Sequence, residues 1–356
     1  MAERPTIALV SDAAGYGGAQ VYLGQLATHL GARWRFVVLV GDEVAVETVR
    51  RLEAAGAEVR RVPGVRRIPR PRAVLALARA LRDVDPVLVH VGLTDQGDGL
   101  GPLLAARLAR RPTIATLHLV IPERARRREW VSTFALRLPR IVIGVSESVA
   151  AYVRSRGGHA TVVLNGIDPP ELFADARARL GLPEGALVVG GIGRIDEQKG
   201  WDVLCDAMAA VRAARPEAVA IVLGDGPGLA ELQERGGDAV RFAGYRERAS
   251  SFLPAFDVLA VPSRYEAFGR VAAEAMLGGV PVVASAVDGL PEVVGDAGVL
   301  VPPEQPGALA EAILDLLADP AARAEVAARG QARAAERFAA DRMVSEVEAV
   351  YREVAG

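Results

Sequence analysis

Two glutamates stand eight positions apart in the segment Pro262 to Ser285, and their spacing suits an anion held between them. The apolar residues Val258 to Val261 predict a strand, and the following segment predicts a helix from about Gly269. Glu266 lies in the turn and Glu274 inside the helix, so the two carboxylates are held apart. The first N–H groups of a helix point away from it and attract anions. The sequence therefore predicts a phosphate flanked by two hydroxyl-binding carboxylates, which is the layout of a sugar nucleotide.

A second turn carries two cations. Arg194 and Lys199 lie five positions apart after the predicted strand Leu187 to Ile192, so both can converge on a diphosphate. The turn is not a P-loop, because Gly200 follows the lysine and the glycine spacing differs. Of the 42 basic residues in the chain, Lys199 is the only lysine. A lysine retained in so arginine-rich a chain indicates a function at this position, and the alternative is a plain surface cation.

Apolar runs alternate with helical patterns along all 356 residues, which predicts two doubly wound parallel sheets in two domains. The predicted strands of the first half are Ile7 to Val10, Phe36 to Val40, Val87 to Val91, Thr113 to Leu117, Ile141 to Val145 and Val162 to Leu164. Those of the second half are Leu187 to Ile192, Val219 to Leu223, Val240 to Ala243, Val258 to Val261 and Val280 to Ala284. Turn and breaker residues from Asn165 to Pro170 predict the hinge. We expect domains at residues 1–168 and 169–338, with a last helix in residues 339–356.

The Glu-x7-Glu spacing resembles that of the retaining GT-B glycosyltransferases of family 4. Phe268-Gly269 after the first glutamate and the Gly-x-Pro-Val-Val run ending at Val283 are also similar to this family. The resemblance implies an α/β GT-B fold, with two Rossmann-like domains facing a cleft. The N-terminal domain would be on the acceptor side, the C-terminal domain would bind the nucleotide sugar, and the last helix would pack back on the first domain. By the same resemblance, Glu266 lies beside the donor sugar hydroxyls and Glu274 binds the nucleotide ribose.

The resemblance also assigns roles to residues of other turns. Arg194 and Lys199 would hold the leaving diphosphate, while a Gly-Gly-Ala run at Gly17 and Gly18 would border the donor phosphate. His118 would lie near the donor sugar, although this chain has leucine in the next position, where the family often has aspartate. The predicted catalytic residues are Glu266, Arg194, Lys199 and His118. The predicted donor-binding residues are Gly17, Gly18, Arg194, Lys199, Gly224, Tyr245, Glu266, Ala267, Phe268, Gly269, Arg270 and Glu274.

The resulting hypothesis is a retaining glycosyltransferase that moves a sugar from a nucleoside diphosphate to an acceptor hydroxyl. The acceptor class stays open among natural products, lipid carriers, glycans and small metabolites. We expect no cofactor and no metal, since cations and the helix start offset charge on the diphosphate and no His or Cys cluster has ligand spacing. No protein nucleophile is assigned, and a donor phosphate oxygen would take the acceptor proton. The alternatives are a sugar-nucleotide epimerase of the same fold and a non-catalytic sugar-nucleotide-binding protein.

Charge is distributed unevenly along the chain. Residues 1–168 hold 24 arginines and 15 acids, a net +9, whereas the remainder holds 18 basic residues and 29 acids, a net −11. Arginine clusters at residues 60–72 and 124–128 could meet an anionic acceptor or acidic lipid headgroups, or they are simply solvated faces. We expect no nucleic acid partner. The chain begins without a signal peptide pattern, which predicts a cytoplasmic location. The basic N-terminal domain could also make peripheral contact with the inner face of the membrane.

Overall fold

The computed structural model describes residues 4–11, 17–63, 65, 70–122 and 129–356. It divides into an N-terminal unit, formed by residues 1–166 together with 340–356, and a C-terminal unit of residues 167–339. Part of the predicted glycine turn, residues 12–16, lies outside the described residues. So do several of the predicted basic positions, among them Arg66, Arg67 and Arg124.

In the described part of the N-terminal unit, seven parallel strands form one sheet in the order β3-β2-β1-β4-β5-β6-β7. The strands are β1 Thr6–Ser11, β2 Arg35–Val40, β3 Glu58–Arg61, β4 Leu88–Leu93, β5 Thr113–Leu117, β6 Ile141–Gly144 and β7 Ala160–Val162. The helices before the crossing to the second unit are α1 Gly18–Leu30, α2 Val46–Ala54, α3 Pro71–Val84, α4 Leu100–Leu108, α5 Glu129–Leu136 and α6 Glu147–Ser155. Valine, isoleucine and leucine dominate the central strands because both faces of a doubly wound sheet are covered.

The C-terminal unit contains a six-stranded parallel sheet in the order β10-β9-β8-β11-β12-β13, counted over the described residues. Its strands are β8 Leu187–Ile192, β9 Ala218–Leu223, β10 Val240–Phe242, β11 Val258–Val261, β12 Val282–Ser285 and β13 Val299–Val301. Its helices are α7 Ala176–Arg179, α8 Trp201–Ala214, α9 Leu229–Gly236, α10 Arg270–Leu277, α11 Leu290–Val294, α12 Pro306–Ala318 and α13 Pro320–Arg337. Three short 3-10 helices cover Glu197–Lys199, Gly237–Ala239 and Ala249–Ala255. The prediction of two doubly wound parallel sheets is confirmed.

The last helix, α14 Ala340–Ala355, completes the core of the N-terminal unit. Met343, Val347 and Tyr351 lie fully buried in the same core cluster as residues of α1, β1 and β2. Glu348 anchors the helix, because its carboxylate accepts a hydrogen bond from Trp34 Nε1 at 3.1 Å. The hydrophobic face of a short C-terminal segment is thus covered by the sheet that the first residues of the chain begin.

Two edge strands were not predicted from the sequence, and one was misplaced. The strand β3 reads Glu58-Val59-Arg60-Arg61 and carries no apolar run, as is common where an edge strand faces water. The strand β13 is only three residues long. The predicted strand Val162 to Leu164 is in fact β7, Ala160–Val162, which pairs with β6 from Val142 to Gly144. Edge strands have one neighbour each, so burial imposes a weaker pattern on them.

Candidate functional site

The C-terminal sheet changes its direction of winding between β8 and β11. These two strands are hydrogen-bonded neighbours, with Val189 opposite Val258 and Gly190 opposite Leu259. The chain moves from β8 outward to β9 and β10, then returns to β11 and continues outward on the other side. Open α/β sheets bind ligands beyond the carboxyl ends of strands at such a switch point. The loops that leave β8 and β11 carry the predicted cations and carboxylates.

Lys199 and Glu266 meet at this switch point. The Nζ of Lys199 donates to Oε2 of Glu266, and the two side chains are only 17% and 12% exposed. The two loops approach each other closely here, since a Cβ on Gly200 would lie 2.1 Å from the carbonyl oxygen of Pro262. Gly200 also has a positive φ of 64°, which glycine adopts at low cost. Close packing against Pro262 and a positive φ therefore explain why residue 200 is glycine.

Arg194 lies on the same turn as Lys199 but faces solvent. Its guanidinium is 69% exposed and contacts Gln198 Oε1 at 2.8 Å and Asp196 Oδ2 at 3.0 Å. Its backbone is fixed, because Trp201 Nε1 donates to the Arg194 carbonyl at 2.7 Å. A long cation on a fixed backbone can reach an anion above the turn without moving the main chain.

The helix α10 begins directly after Gly269, which has a φ of 87°. A Cβ at this glycine would lie 2.4 Å from Leu290 Cδ2, so close packing also requires glycine. Ala267 and Phe268 are buried, and the Phe268 ring packs edge to face on Phe338 at 5.4 Å. Because their side chains are buried, Ala267 and Phe268 could contact a ligand only through backbone groups.

Glu274, the second predicted carboxylate, lies on α10 and is one-fifth exposed. Its Oε2 accepts a hydrogen bond from the Ser250 hydroxyl, and its Oε1 lies 3.6 Å from the Arg270 guanidinium. The structure thus places Glu274 between a neutral donor and a cation. Carboxylate oxygens in that position can accept hydrogen bonds from hydroxyl groups.

Asp288 supports the loop that carries Glu266. Its carboxylate accepts from the Glu266 N–H at 2.9 Å, while the Gly289 N–H donates to the Glu266 carbonyl at 3.0 Å. The residue adopts a φ of 43°, a conformation that glycine would adopt with less strain. Partial burial and the neighbouring Glu266 carboxylate raise the pKa of Asp288. Asp288 therefore adds a second carboxyl group beside Glu266.

Gly224 and Tyr245 follow β9 and β10 at the same edge of the sheet. The Gly224 N–H donates to the Gly244 carbonyl at 3.0 Å, and a Cβ on Gly224 would lie 1.8 Å from the Gly193 carbonyl oxygen. Packing against the β8 turn is thus sufficient reason for glycine at residue 224. Tyr245 presents a ring that is 69% exposed. Its side chain is accessible to a planar ligand.

Arg264 is a positioning residue that sequence reasoning missed. Its guanidinium makes a two-pronged contact with Asp202, at 2.9 and 2.7 Å, and also donates to Glu304 at 2.9 Å. A further hydrogen bond of 2.9 Å to the Glu197 carbonyl ties the β11 loop to the turn that carries Lys199. The hydrogen bond from Arg264 is the main cause that lowers the pKa of Asp202. No sequence signal marks this arginine, because its partners are distant in the chain.

Three predicted residues belong to the N-terminal unit. Gly17 and Gly18 stand at the start of α1, where the Gly17 N–H donates to Gln20 Oε1 at 2.9 Å. A Cβ on Gly17 would make only an ordinary contact of 3.7 Å, so packing does not require glycine there. His118 follows β5, and its N–H donates to the Leu93 carbonyl at 2.9 Å. Its ring packs edge to face on Tyr22 with centroids 5.0 Å apart.

Neither a metal-binding cluster nor a membrane-spanning helix occurs among the residues that the structure describes. Within those ranges, no three His, Cys, Asp or Glu side chains are grouped so as to hold a metal ion. No helix among the described elements combines the length and apolar character needed to cross a membrane.

Comparison with known proteins identifies the family. The family model Glycosyltransferase Family 4 matches residues 16–171, and Glycosyl transferases group 1 matches residues 186–319. Over 270 residues the chain is 34% identical to the lipopolysaccharide core biosynthesis mannosyltransferase LpsB of Rhizobium meliloti, a match covering 70% of this chain and 76% of that protein. The chain belongs to glycosyltransferase family 4. This family 4 glycosyltransferase is also 38% identical to a D-inositol 3-phosphate glycosyltransferase of Streptomyces avermitilis, over 60% of its own length and 51% of that relative.

Solved structures support the GT-B fold of this family 4 glycosyltransferase. The crystal structure of Anabaena HepE in complex with UDP superposes with a TM-score of 0.84 at 25% identity, covering 98% of this chain and 100% of HepE. Sucrose-phosphate synthase from Thermosynechococcus elongatus superposes with a TM-score of 0.80 at 27% identity, over 98% and 99% of the two chains. HepE has also been crystallised with UDP-glucose.

Proposed function

We propose that this family 4 glycosyltransferase transfers a sugar from a nucleoside diphosphate to an acceptor hydroxyl with retention of anomeric configuration. The contact of Lys199 with Glu266 at the switch point carries the proposal. It brings a cation for a diphosphate and a carboxylate for sugar hydroxyls to one place, beside the start of α10. The UDP and UDP-glucose complexes of HepE support a nucleotide sugar as donor.

The proposed roles follow from these positions. Lys199, Arg194 and the first N–H groups of α10 stabilise negative charge on the departing diphosphate. Glu266 binds hydroxyls of the donor sugar, and Glu274 binds the ribose. The base lies against the segment that contains Tyr245. The cations and helix start supply the charge stabilisation that a metal would otherwise supply, so we propose that turnover needs no divalent ion.

We propose a substitution without a protein nucleophile. The bond from the anomeric carbon to the diphosphate oxygen breaks, and the acceptor oxygen bonds to that carbon on the same face of the sugar. The acceptor proton passes to a phosphate oxygen of the departing nucleotide. Gly17, Gly18 and His118 are proposed to serve the same reaction from the N-terminal unit, as the resemblance implies.

The donor is the first part to test. A thermal-shift panel of UDP-, GDP-, ADP- and TDP-sugars identifies the ligand, because a compound that binds only the folded state raises the melting temperature. Incubation of that donor with candidate acceptors, followed by mass spectrometry and proton NMR of the product, then detects transfer and the anomeric configuration. A control reaction with a chelator tests whether turnover needs a divalent ion. Absence of any stabilising nucleotide sugar, or a product of inverted configuration, contradicts the proposal.

A reaction with donor alone separates transfer from epimerisation. An epimerase converts the sugar of its donor without an acceptor, whereas a transferase forms its glycosidic product only when an acceptor is present. Binding without either product supports the sugar-nucleotide-binding protein instead.

We also propose peripheral contact with an anionic membrane surface through the N-terminal unit. Trp130 and Phe134 lie four positions apart on α5 and are 78% and 52% exposed. Residues 1–168 carry a net charge of +9, and exposed aromatic rings on a positively charged domain suit the interface of an acidic bilayer. A double variant, Trp130→Ala with Phe134→Ala, should lose flotation with phosphatidylglycerol vesicles, while Leu75→Ala, also exposed but on α3, should retain it. Equal flotation of both variants contradicts this contact.

A further inference from the structure

The side chain of Gln198 lies between the two loops that carry the predicted cations and carboxylates. Gln198 belongs to the 3-10 helix Glu197–Lys199 and is only 5% exposed. Its Oε1 atom accepts a hydrogen bond from Nη2 of Arg194 at 2.8 Å. Its Nε2 atom donates to the carbonyl of Tyr265, the residue before Glu266, at 3.1 Å. A single amide therefore contacts both the turn after β8 and the loop after β11.

The orientation of this amide is fixed by its partners. A guanidinium can only donate hydrogen bonds and a backbone carbonyl can only accept them, so Oε1 must face Arg194 and Nε2 must face Tyr265. Rotation of the amide by half a turn would oppose donor to donor and acceptor to acceptor. Because Gln198 is almost fully buried, water does not replace a lost contact, and the paired arrangement is strongly favoured.

Residues 198 and 199 contact three consecutive residues of the loop after β11. The carbonyl of Gln198 accepts from the Arg264 N–H at 2.8 Å. The Gln198 side chain contacts the next residue, Tyr265. The Lys199 ammonium contacts the carboxylate of the residue after that, Glu266. The first two contacts fix the backbone just before Glu266, so a displacement of Gln198 should move the loop that positions this carboxylate.

The contact with Gln198 also restricts Arg194. The Arg194 side chain is otherwise mostly in solvent, with 69% of it exposed. Its Nη2 atom lies 2.8 Å from Oε1 of Gln198 and 3.0 Å from Oδ2 of Asp196. Both contacts use Nη2, which leaves Nη1 and Nε available to an anion within the part of the chain that the structure describes. Without Gln198, the guanidinium would keep only the contact with Asp196 and would lose one of the two contacts that orient it.

We infer that Gln198 is a positioning residue for the donor diphosphate, because it orients Arg194 and ties this cation to the loop that carries Glu266. The inference rests on the proposed function, in which Arg194 holds the diphosphate and Glu266 binds the sugar. A side chain that is already held in place loses less entropy when a ligand binds, which corresponds to about two- to tenfold in affinity. The gain should be larger for a nucleoside diphosphate than for a monophosphate, since the terminal phosphate adds the charge that Arg194 would hold.

Calorimetric titration with UDP and UMP tests the inference without an acceptor. The dissociation constant of UMP divided by that of UDP measures what the terminal phosphate contributes to binding. Gln198→Met keeps the approximate size of the side chain but removes its amide, and it should lower this ratio by about two- to tenfold. If the thermal-shift panel identifies a base other than uracil, the diphosphate and monophosphate of that nucleoside replace UDP and UMP. An unchanged ratio in folded Gln198→Met overturns the inference.

Gln331→Met is the matched control for this titration. Gln331 also donates from its amide to a backbone carbonyl of the same unit, that of Leu277, at 3.2 Å. Its replacement removes a comparable hydrogen bond without touching Arg194, so the ratio should stay at the wild-type value. An equal fall of the ratio in both methionine variants would show a general loss of structure and would overturn the inference.

Two further variants test whether Gln198 acts through Arg194. In the Arg194→Ala background, Gln198→Met should change the ratio by less than about twofold, because residues in one network are not additive. An equal loss in both backgrounds contradicts the inference. Gln198→Glu keeps an oxygen that accepts from Arg194, so it should retain the ratio within about twofold of wild type. A loss as large as that of Gln198→Met contradicts the proposed orientation of Arg194.

Hydrogen exchange tests the contact with the loop and needs no ligand. Gln198→Met should speed amide exchange in residues 262–268 by about two- to tenfold, the scale of one hydrogen bond, whereas Gln331→Met should not. Gln198→Glu should also speed exchange there, since an ionised carboxylate cannot donate to the Tyr265 carbonyl. Unchanged exchange in Gln198→Met overturns the inference. Equal affinity of the wild-type protein for diphosphate and monophosphate refutes the proposed diphosphate contact instead, and hydrogen exchange then decides whether Gln198 holds the loop.

Discussion

Replacing Lys199 by alanine separates two effects of the same side chain, one on the fold and one on turnover. The variant leaves the Glu266 carboxylate, which is only 12% exposed, without its ammonium partner. Breaking a fully buried ion pair in this way costs about 3–5 kcal/mol of unfolding free energy. Residual exposure of both side chains admits water, so we expect about 1–3 kcal/mol here.

The effect on turnover should be larger. If the ammonium stabilises charge that develops on the departing diphosphate, its removal lowers kcat by on the order of 10²–10³. That loss corresponds to about 2.7–4 kcal/mol of transition-state stabilisation. The donor KM should change much less, because the ground-state diphosphate keeps Arg194 and the start of α10. Lys199→Arg should fall between wild type and alanine, since a planar guanidinium does not reproduce a compact ammonium.

Steady-state kinetics with the donor found by thermal shift measure these effects, at a temperature well below every melting transition. Arg177→Ala is the matched control, because it removes from the same unit a cation that pairs with Asp257, before β11 rather than in the loop that follows it. It should lose stability and keep a kcat near that of wild type. A kcat for Lys199→Ala within about threefold of wild type would show that this lysine supports only the fold, and would refute its role in catalysis.

Three further predictions concern the loops around the switch point. Gly269→Ala should cost about 1–3 kcal/mol in urea unfolding and weaken nucleotide binding, because its Cβ meets Leu290 and the backbone has a positive φ. Arg264→Ala should lower stability at pH 7, and the gap to wild type should narrow as the pH falls below about 4. Arg264 holds the pKa of Asp202 below its usual range. The contact between the two therefore stabilises the fold above the unfolded-state pKa of Asp202, and this stabilisation is lost when the Asp202 carboxylate is protonated. Asp288→Asn should raise the melting temperature at pH 7 by the equivalent of a few tenths of a kcal/mol, since the side chain is partly exposed and screened. The folded-state pKa of Asp288 is raised, so ionisation of this carboxyl group destabilises the wild-type fold as the pH rises through that pKa. The stability advantage of the asparagine variant should therefore vanish at about pH 4 or below.

Much of the fold could be predicted because the central strands are buried on both faces. Runs such as Leu187 to Ile192 and Val258 to Val261 are apolar throughout, and the structure has the same bounds for β8 and β11. The strand β3 could not be predicted in this way, since Glu58-Val59-Arg60-Arg61 owes its conformation to pairing with β2 rather than to its own composition. Tertiary pairing of this kind leaves no periodic signal.

The candidate site was predictable where residue type and turn position agree. Lys199 and Glu266 follow adjacent strands of a parallel sheet, and the structure brings them into contact. The contact between Arg264 and Asp202, which supports these loops, was not predictable. Arg264 is one of 41 arginines, and Asp202 lies on another element. Hydrogen bonds connect Tyr351 through His90 and Thr116 to Tyr22, and these residues span most of the chain length. No local sequence pattern links them.

The last helix belongs to the N-terminal unit, and this sets the order in which the two units can finish folding during synthesis. A nascent chain released from the ribosome only as far as residue 339 has completed the C-terminal sheet, yet lacks the helix that covers part of β1, β2 and α1. The N-terminal unit is therefore synthesised first but completes its core last. Removal of residues 340–356 should expose the N-terminal unit to proteases and chaperones and leave the C-terminal unit unaffected.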